Sequence, residues 1–143
     1  MTPQNELTEE TRERFTKVRN ALLKLHKTLL DYERDAYERT KGPIGNSYAF
    51  LELVMNDPWF GWLRLLSALI VQMDALLASK EAIAETEAIA LMEESNLLLK
   101  PSESGSEFQR KYFAAMQLSP EVVLAHSDFA NAFGPGRLSK EVH

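Results

Sequence analysis

The feature that most constrains this chain is a long apolar stripe near its N-terminus. The stripe runs through a segment without Gly or Pro, in alternating steps of three and four residues: Phe15, Val18, Leu22, Leu25, Leu29, Tyr32 and Ala36. That spacing places the residues on one face of an amphipathic α-helix. Thr8 and the acids after it mark the start of the helix, and Gly42-Pro43 marks its end. We predict a helix from about Glu9 to Thr40, which needs partner helices along its length.

A second apolar row lies beside the first on the same predicted helix. Leu23, Leu30 and Tyr37 form it, and together the two rows are wider than the seam of a two-stranded coiled coil. More than one helix must therefore pack here. If the rest of the chain leaves part of this face uncovered, a second copy or another protein would cover it. Leu23, Leu30 and Tyr37 are our candidate interface, and a homodimer or another protein is the expected partner.

Cap residues and prolines predict the remaining helices. The second helix is expected at 47–56, with Tyr48, Leu51, Val54 and Met55 on its apolar side. A third begins at Asp57-Pro58 and continues to Leu77, and a fourth covers 85–99. Two more start at Ser106 and at Ser119-Pro120. No strand-like alternation and no internal repeat is present. We predict an all-α, single-domain, irregular antiparallel bundle of five to six helices over residues 1–136, with a flexible tail at 137–143.

Composition and charge exclude several classes of function. The chain has no Cys, which excludes thiol nucleophiles, disulfides and metal sites built on thiolates. Its net charge of −5 opposes general attraction to nucleic acid. The basic segment between Arg12 and Lys27 holds no aromatic residue for base stacking after Phe15, and acids follow it on the same helix, so we interpret it as a solvated helix face.

A membrane location is not expected either. The most apolar stretch, Trp59–Leu77, is interrupted by Arg64, Gln72 and Asp74, which favours a buried helix over a membrane span. The first residues are polar and acidic, unlike a secretory signal. We therefore expect a cytoplasmic protein without membrane or nucleic-acid partners.

The histidines are the main candidates for catalytic or metal-binding residues. A dinuclear carboxylate site would need Glu three residues before His26 and His126, but Leu23 and Val123 stand there. A His-rich pocket of the DinB type would require His143 at the end of the chain. His26 is open to two interpretations, a proton carrier or a structural side chain at the edge of the core. No GxSxG or nucleotide-binding motif occurs, so we predict no catalytic residue, metal site or cofactor.

The densest unusual feature is an aromatic cluster between Tyr48 and Trp62. Aromatic walls with one cation suit a flat or anionic small molecule, and the candidate pocket residues are Tyr48, Glu52, Trp59, Trp62 and Arg64. The alternative is a core junction filled by the tryptophans, in which Arg64 pairs with Glu52 or Asp74.

Two parts of the chain carry a resemblance. The segment Asn56–Arg64, continuing through Leu66-Ser67 to Asp74, is similar to a segment of small uncharacterised bacterial all-helical proteins, and so are 101–108 and Pro120–His126. This resemblance implies a bacterial cytosolic helical protein. It implies no activity, cofactor or catalytic residue.

Three functional hypotheses follow from the sequence. The leading one is a non-enzymatic module that associates with itself or with another protein. The second is a small-molecule binding bundle that uses Trp59, Trp62 and Arg64. The third is a metal-dependent, DinB-like enzyme using a histidine.

Overall fold

The computed structural model of the chain describes residues 6–134, which form seven α-helices and no β-strand. The helices are α1 (Glu9–Lys41), α2 (Ser47–Asn56), α3 (Pro58–Gly61), α4 (Arg64–Ala78), α5 (Glu85–Leu98), α6 (Glu107–Leu118) and α7 (Pro120–Phe133). The predicted all-α bundle with a long N-terminal helix is confirmed. The expected tail at 137–143, the domain boundary at 136 and His143 lie outside the described residues.

Helix α1 is the element on which the bundle is assembled. It packs most extensively on α7, and also on α4, α5 and α3. The first part of the predicted stripe, Phe15, Val18, Leu22, Leu25 and Leu29, is completely buried. Each such side chain contributes about 1.5–3 kcal/mol through removal from water. Tyr32 and Ala36 are only partly buried, so the C-terminal part of α1 lies at the edge of the main core.

Polar contacts tie α1 to its neighbours. The Arg14 Nε donates to the carbonyl of Phe133 at 2.6 Å, at the end of α7. The Arg19 Nε donates to Asp74 of α4 at 2.6 Å. At the start of α1, Glu85 accepts the backbone N–H of Thr8 at 2.9 Å. These contacts help to fix how far α1 is shifted along each partner helix.

The predicted third helix is divided into two pieces. Helix α3 ends at Gly61, and α4 begins at Arg64 after a turn at Trp62-Leu63. Within the turn the Leu63 N–H donates to the Phe60 carbonyl at 3.1 Å, a spacing tighter than that of an α-helix. Because such a turn keeps apolar residues three apart, the periodicity alone predicts one continuous helix.

Candidate functional site

Helix α2 is apolar, yet none of its residues is buried. Its one charged residue is Glu52. Three large apolar side chains at helical spacing face outward, with exposed fractions of 76% for Tyr48, 54% for Leu51 and 61% for Met55. We call these three residues the outer stripe. Of the four residues expected on the apolar side, only Val54 is partly buried; the outer stripe does not pack on the bundle, and the packed side carries Phe50.

A small set of contacts holds α2 on the bundle. The Phe50 ring meets Phe60 of α3 edge-on at a centroid distance of 5.7 Å. The Arg34 guanidinium of α1 lies 4.7 Å from the centroid of the Phe50 ring, a cation–π contact. The chain reaches α2 through Gly42, whose φ of 101° is in a region that side chains other than Gly rarely adopt. Asn46 caps α2, and its side chain accepts the Ala49 N–H at 2.8 Å.

The two tryptophans are bound by one carboxylate of α1. Glu33 accepts the indole N–H of Trp59 at 2.9 Å and that of Trp62 at 2.7 Å. Trp62 is only 5% exposed, and its ring packs on Phe108. Trp59 meets the Tyr37 ring edge-on at 5.3 Å. Because both polar N–H groups have a partner, the indoles serve to join α1 to the α3–α4 turn.

The five predicted pocket residues do not line one cavity. Tyr48 and Glu52 line an open groove of about 670 Å³ beside the loop after α1. Trp59 and Trp62 are turned toward Glu33. Arg64 lines a different groove, next to His26.

The predicted ion pair of Arg64 with Glu52 or Asp74 is wrong. The Arg64 Nη2 donates to the Met55 carbonyl at 2.9 Å. Asp74 pairs with Arg19 instead, and Glu52 accepts the Asn56 amide at 3.5 Å. Arg64 therefore links the start of α4 to the end of α2.

The three predicted interface residues differ in their exposure. Leu23 is 46% exposed. Leu30 is partly buried against the main core. Tyr37 is partly buried and packs on Trp59 and Phe60. Of the three, Leu23 presents the most open side chain.

His26 and His126 lie in separate environments. His26 is partly buried beside Arg64, and burial lowers its pKa. The His126 Nδ1 lies 2.6 Å from the hydroxyl of the buried Tyr112. Burial lowers the pKa of His126 and raises that of Tyr112. We assign the phenol as the donor to the Nδ1 of a neutral imidazole, which places the imidazole proton on Nε2.

Within residues 6–134, no three His, Asp or Glu side chains are grouped so that they could hold a metal ion. The carboxylate that sequence reasoning missed is Glu33, which binds indoles. Glu33 lies four residues before Tyr37, on the second apolar row of α1. A carboxylate in an apolar row of a helix indicates that a polar group of a neighbouring helix contacts it.

The chain resembles no known protein in three comparisons. No family model, no curated protein and no solved structure matches the chain. No helix among residues 6–134 has the length and apolar character needed to cross a bilayer.

Proposed function

We propose that this protein is a non-enzymatic association module that forms a homodimer through the outer stripe of α2. The observation that carries the proposal is an apolar ten-residue helix without a buried residue. Aligned, exposed apolar side chains are typical of protein-binding surfaces. Covering them stabilises a complex by about 25 cal/mol per Å² of apolar surface.

The outer stripe suits a second copy of itself. Tyr48 and Met55 lie at equal distances from the middle of α2, so an antiparallel two-fold pair brings Tyr48 of each copy to Met55 of the other. Sulfur–aromatic contacts of this kind are favourable. Leu51 then lies next to the two-fold axis, the three residues of the stripe are uncharged, and the one charge of α2, that of the exposed Glu52, lies beside them.

The size of α2 sets the expected strength of the dimer. Ten residues of helix span about 15 Å, so α2 alone buries less than the ~1,200 Å² of a standard interface. We therefore propose a reversible dimer with a dissociation constant on the order of micromolar.

Light scattering coupled to size-exclusion chromatography tests the proposal. The untagged chain of 16.2 kDa is expected to approach twice that mass as its concentration rises. Leu51→Glu is expected to remain monomeric, because it places a charge next to the two-fold axis. Leu124→Glu is the matched control, since Leu124 is a 66% exposed leucine on α7, and it is expected to dimerise. A wild-type monomer at every concentration contradicts the proposal.

A second candidate function is small-molecule binding in the groove beside Tyr48 and Glu52. The observation that favours it is the groove's size and its mixed lining, which includes Tyr37 and Ile44. Because the Tyr37 ring also contacts Trp59, a bound compound is expected to change tryptophan fluorescence. A compound screen followed by Tyr48→Ala, which removes one wall, tests this function. A cytoplasmic location and a bacterial origin remain expectations from the sequence.

A further inference from the structure

A second surface adjoins the outer stripe at the end of α2. Its floor is apolar and includes Val54 and Met55 beside the buried Phe60 and Leu63, and its rim includes His26 and Arg64. At His26 it joins a shallow groove along α1 that contains Leu23, Lys24 and Lys27. We call these two connected grooves the basic groove.

The charge of the basic groove is opposite to that of the chain. All its charged or titratable lining residues are basic, and none is acidic, although the chain carries a net charge of −5. Arg64 contacts the Met55 carbonyl and makes no ion pair with a carboxylate of residues 6–134. Lys24 and Lys27 pair with Asp128 and Asp31, but these contacts are exposed and therefore screened by water.

We infer that the basic groove binds an acidic amphipathic helix of a partner protein. Leucines at helical spacing on the partner would cover the apolar floor, in the manner of other helix-in-groove complexes. Glutamates on the flanks of that helix would meet Arg64, Lys24 and Lys27, which supplies charge complementarity. This inference does not depend on the homodimer, although Met55 borders both surfaces.

Other occupants fit this surface less well. Single-stranded nucleic acid needs exposed aromatic faces for stacking, and Phe60 is 1% exposed. The acidic helix of a second copy would be α5, which contains no Lys or Arg. However, Ala88 and Met92 of α5 are buried in its own core, so they cannot cover the floor of the groove.

Fluorescence anisotropy with two labelled synthetic helices tests the inference. Both peptides have about 15 residues, enough for measurable helicity, and the same leucine stripe; one carries Glu and the other Lys on its polar face. We expect the Glu peptide to bind at least ~10-fold more tightly than the Lys peptide. Its affinity should fall as salt is added, because salt screens the charges.

Arg64→Glu and Arg110→Glu form the matched pair of variants. Arg110, like Arg64, is exposed and donates to a backbone carbonyl, that of Gly105 at 3.2 Å, but it lies away from the basic groove. Arg64→Glu is expected to weaken binding of the Glu peptide at least ~10-fold, and Arg110→Glu to leave it unchanged. An acid in the first turn of α4 also suits the helix dipole, so Arg64→Glu should fold.

The outcomes that overturn the inference are distinct from those that overturn the homodimer. Failure of the Glu peptide to bind, equal binding of both peptides, or an unchanged affinity in Arg64→Glu each overturns it. Tighter binding of a labelled single-stranded oligonucleotide than of the Glu peptide also overturns it. Leu51→Glu is expected to retain peptide binding while losing the dimer, so each proposal can fail by itself.

Discussion

The indole N–H of Trp62 donates to the carboxylate of Glu33 at 2.7 Å, which joins α1 to the turn before α4. The other oxygen of the same carboxylate accepts the N–H of Trp59. One acidic side chain therefore holds both sides of the α3–α4 turn. Since Phe60 lies between the two tryptophans and packs on Phe50, this contact also sets where α2 presents the outer stripe.

Glu33→Gln is expected to lower the free energy of unfolding by about 1–3 kcal/mol. The amide has one acceptor oxygen, so one indole N–H would lose its partner. Urea unfolding monitored by circular dichroism measures the change. Asp35→Asn is the control, because Asp35 is exposed on the same helix, and it should change the value by no more than about 0.5 kcal/mol. Equal effects in the two variants would show that Glu33 makes no special contribution.

The Tyr112–His126 pair makes a second prediction about stability. Tyr112→Phe removes the donor and should cost about 1 kcal/mol, whereas His126→Phe leaves the buried hydroxyl of Tyr112 without an acceptor and should cost about 1–3 kcal/mol. The double variant should cost less than the sum of the two single changes, because the hydroxyl that needs the acceptor is gone. Chemical denaturation of the three variants gives these values, and strict additivity would indicate that the two side chains do not interact.

Acidification is expected to destabilise the protein through His26 and His126. Burial lowers the pKa of both histidines in the folded chain, while in the unfolded chain their pKa is about 6.5. Between these values the unfolded chain binds more protons, so the free energy of unfolding falls as the pH falls below about 6.5. Above that pH both histidines are neutral in the folded and the unfolded chain, so the free energy of unfolding no longer depends on them.

Melting temperatures measured from about pH 8 to pH 5.5 check this dependence across the unfolded histidine pKa. His26→Gln and His126→Gln should each flatten the profile, and the Gln carbonyl at 126 can still accept the Tyr112 hydroxyl. Profiles as steep as that of the wild type in both variants would assign the pH dependence to other groups.

The sequence predicts some parts of this structure well for a physical reason. Helical periodicity is a local property, so the buried stripe from Phe15 to Leu29 and the ends of most helices can be located from it. The contact between Glu33 and Trp62 joins residues 29 positions apart, and no local pattern specifies it. Likewise, apolar composition identifies α2 as a helix but does not say which of its sides is packed.

In the candidate site, too, local contacts can be predicted from the sequence and contacts between distant residues cannot. Tyr48 and Glu52 share a groove, as expected for residues one turn apart. Proximity in the sequence predicts that Arg64 lies with the tryptophans. The turn at Trp62-Leu63 separates them: the indoles point to α1, and the guanidinium points to the end of α2.

A single introduced thiol tests whether α2 pairs with α2 of a second copy. The natural chain has no Cys, so Leu51→Cys carries one thiol, next to the proposed two-fold axis. A disulfide needs Cα atoms about 4.4–6.8 Å apart, so it forms readily only if the two copies of residue 51 meet at that axis. We predict that mild oxidation converts Leu51→Cys, but not Leu124→Cys, into a covalent dimer on a denaturing gel. Equal cross-linking of the two variants, or none in Leu51→Cys, would contradict the proposed dimer.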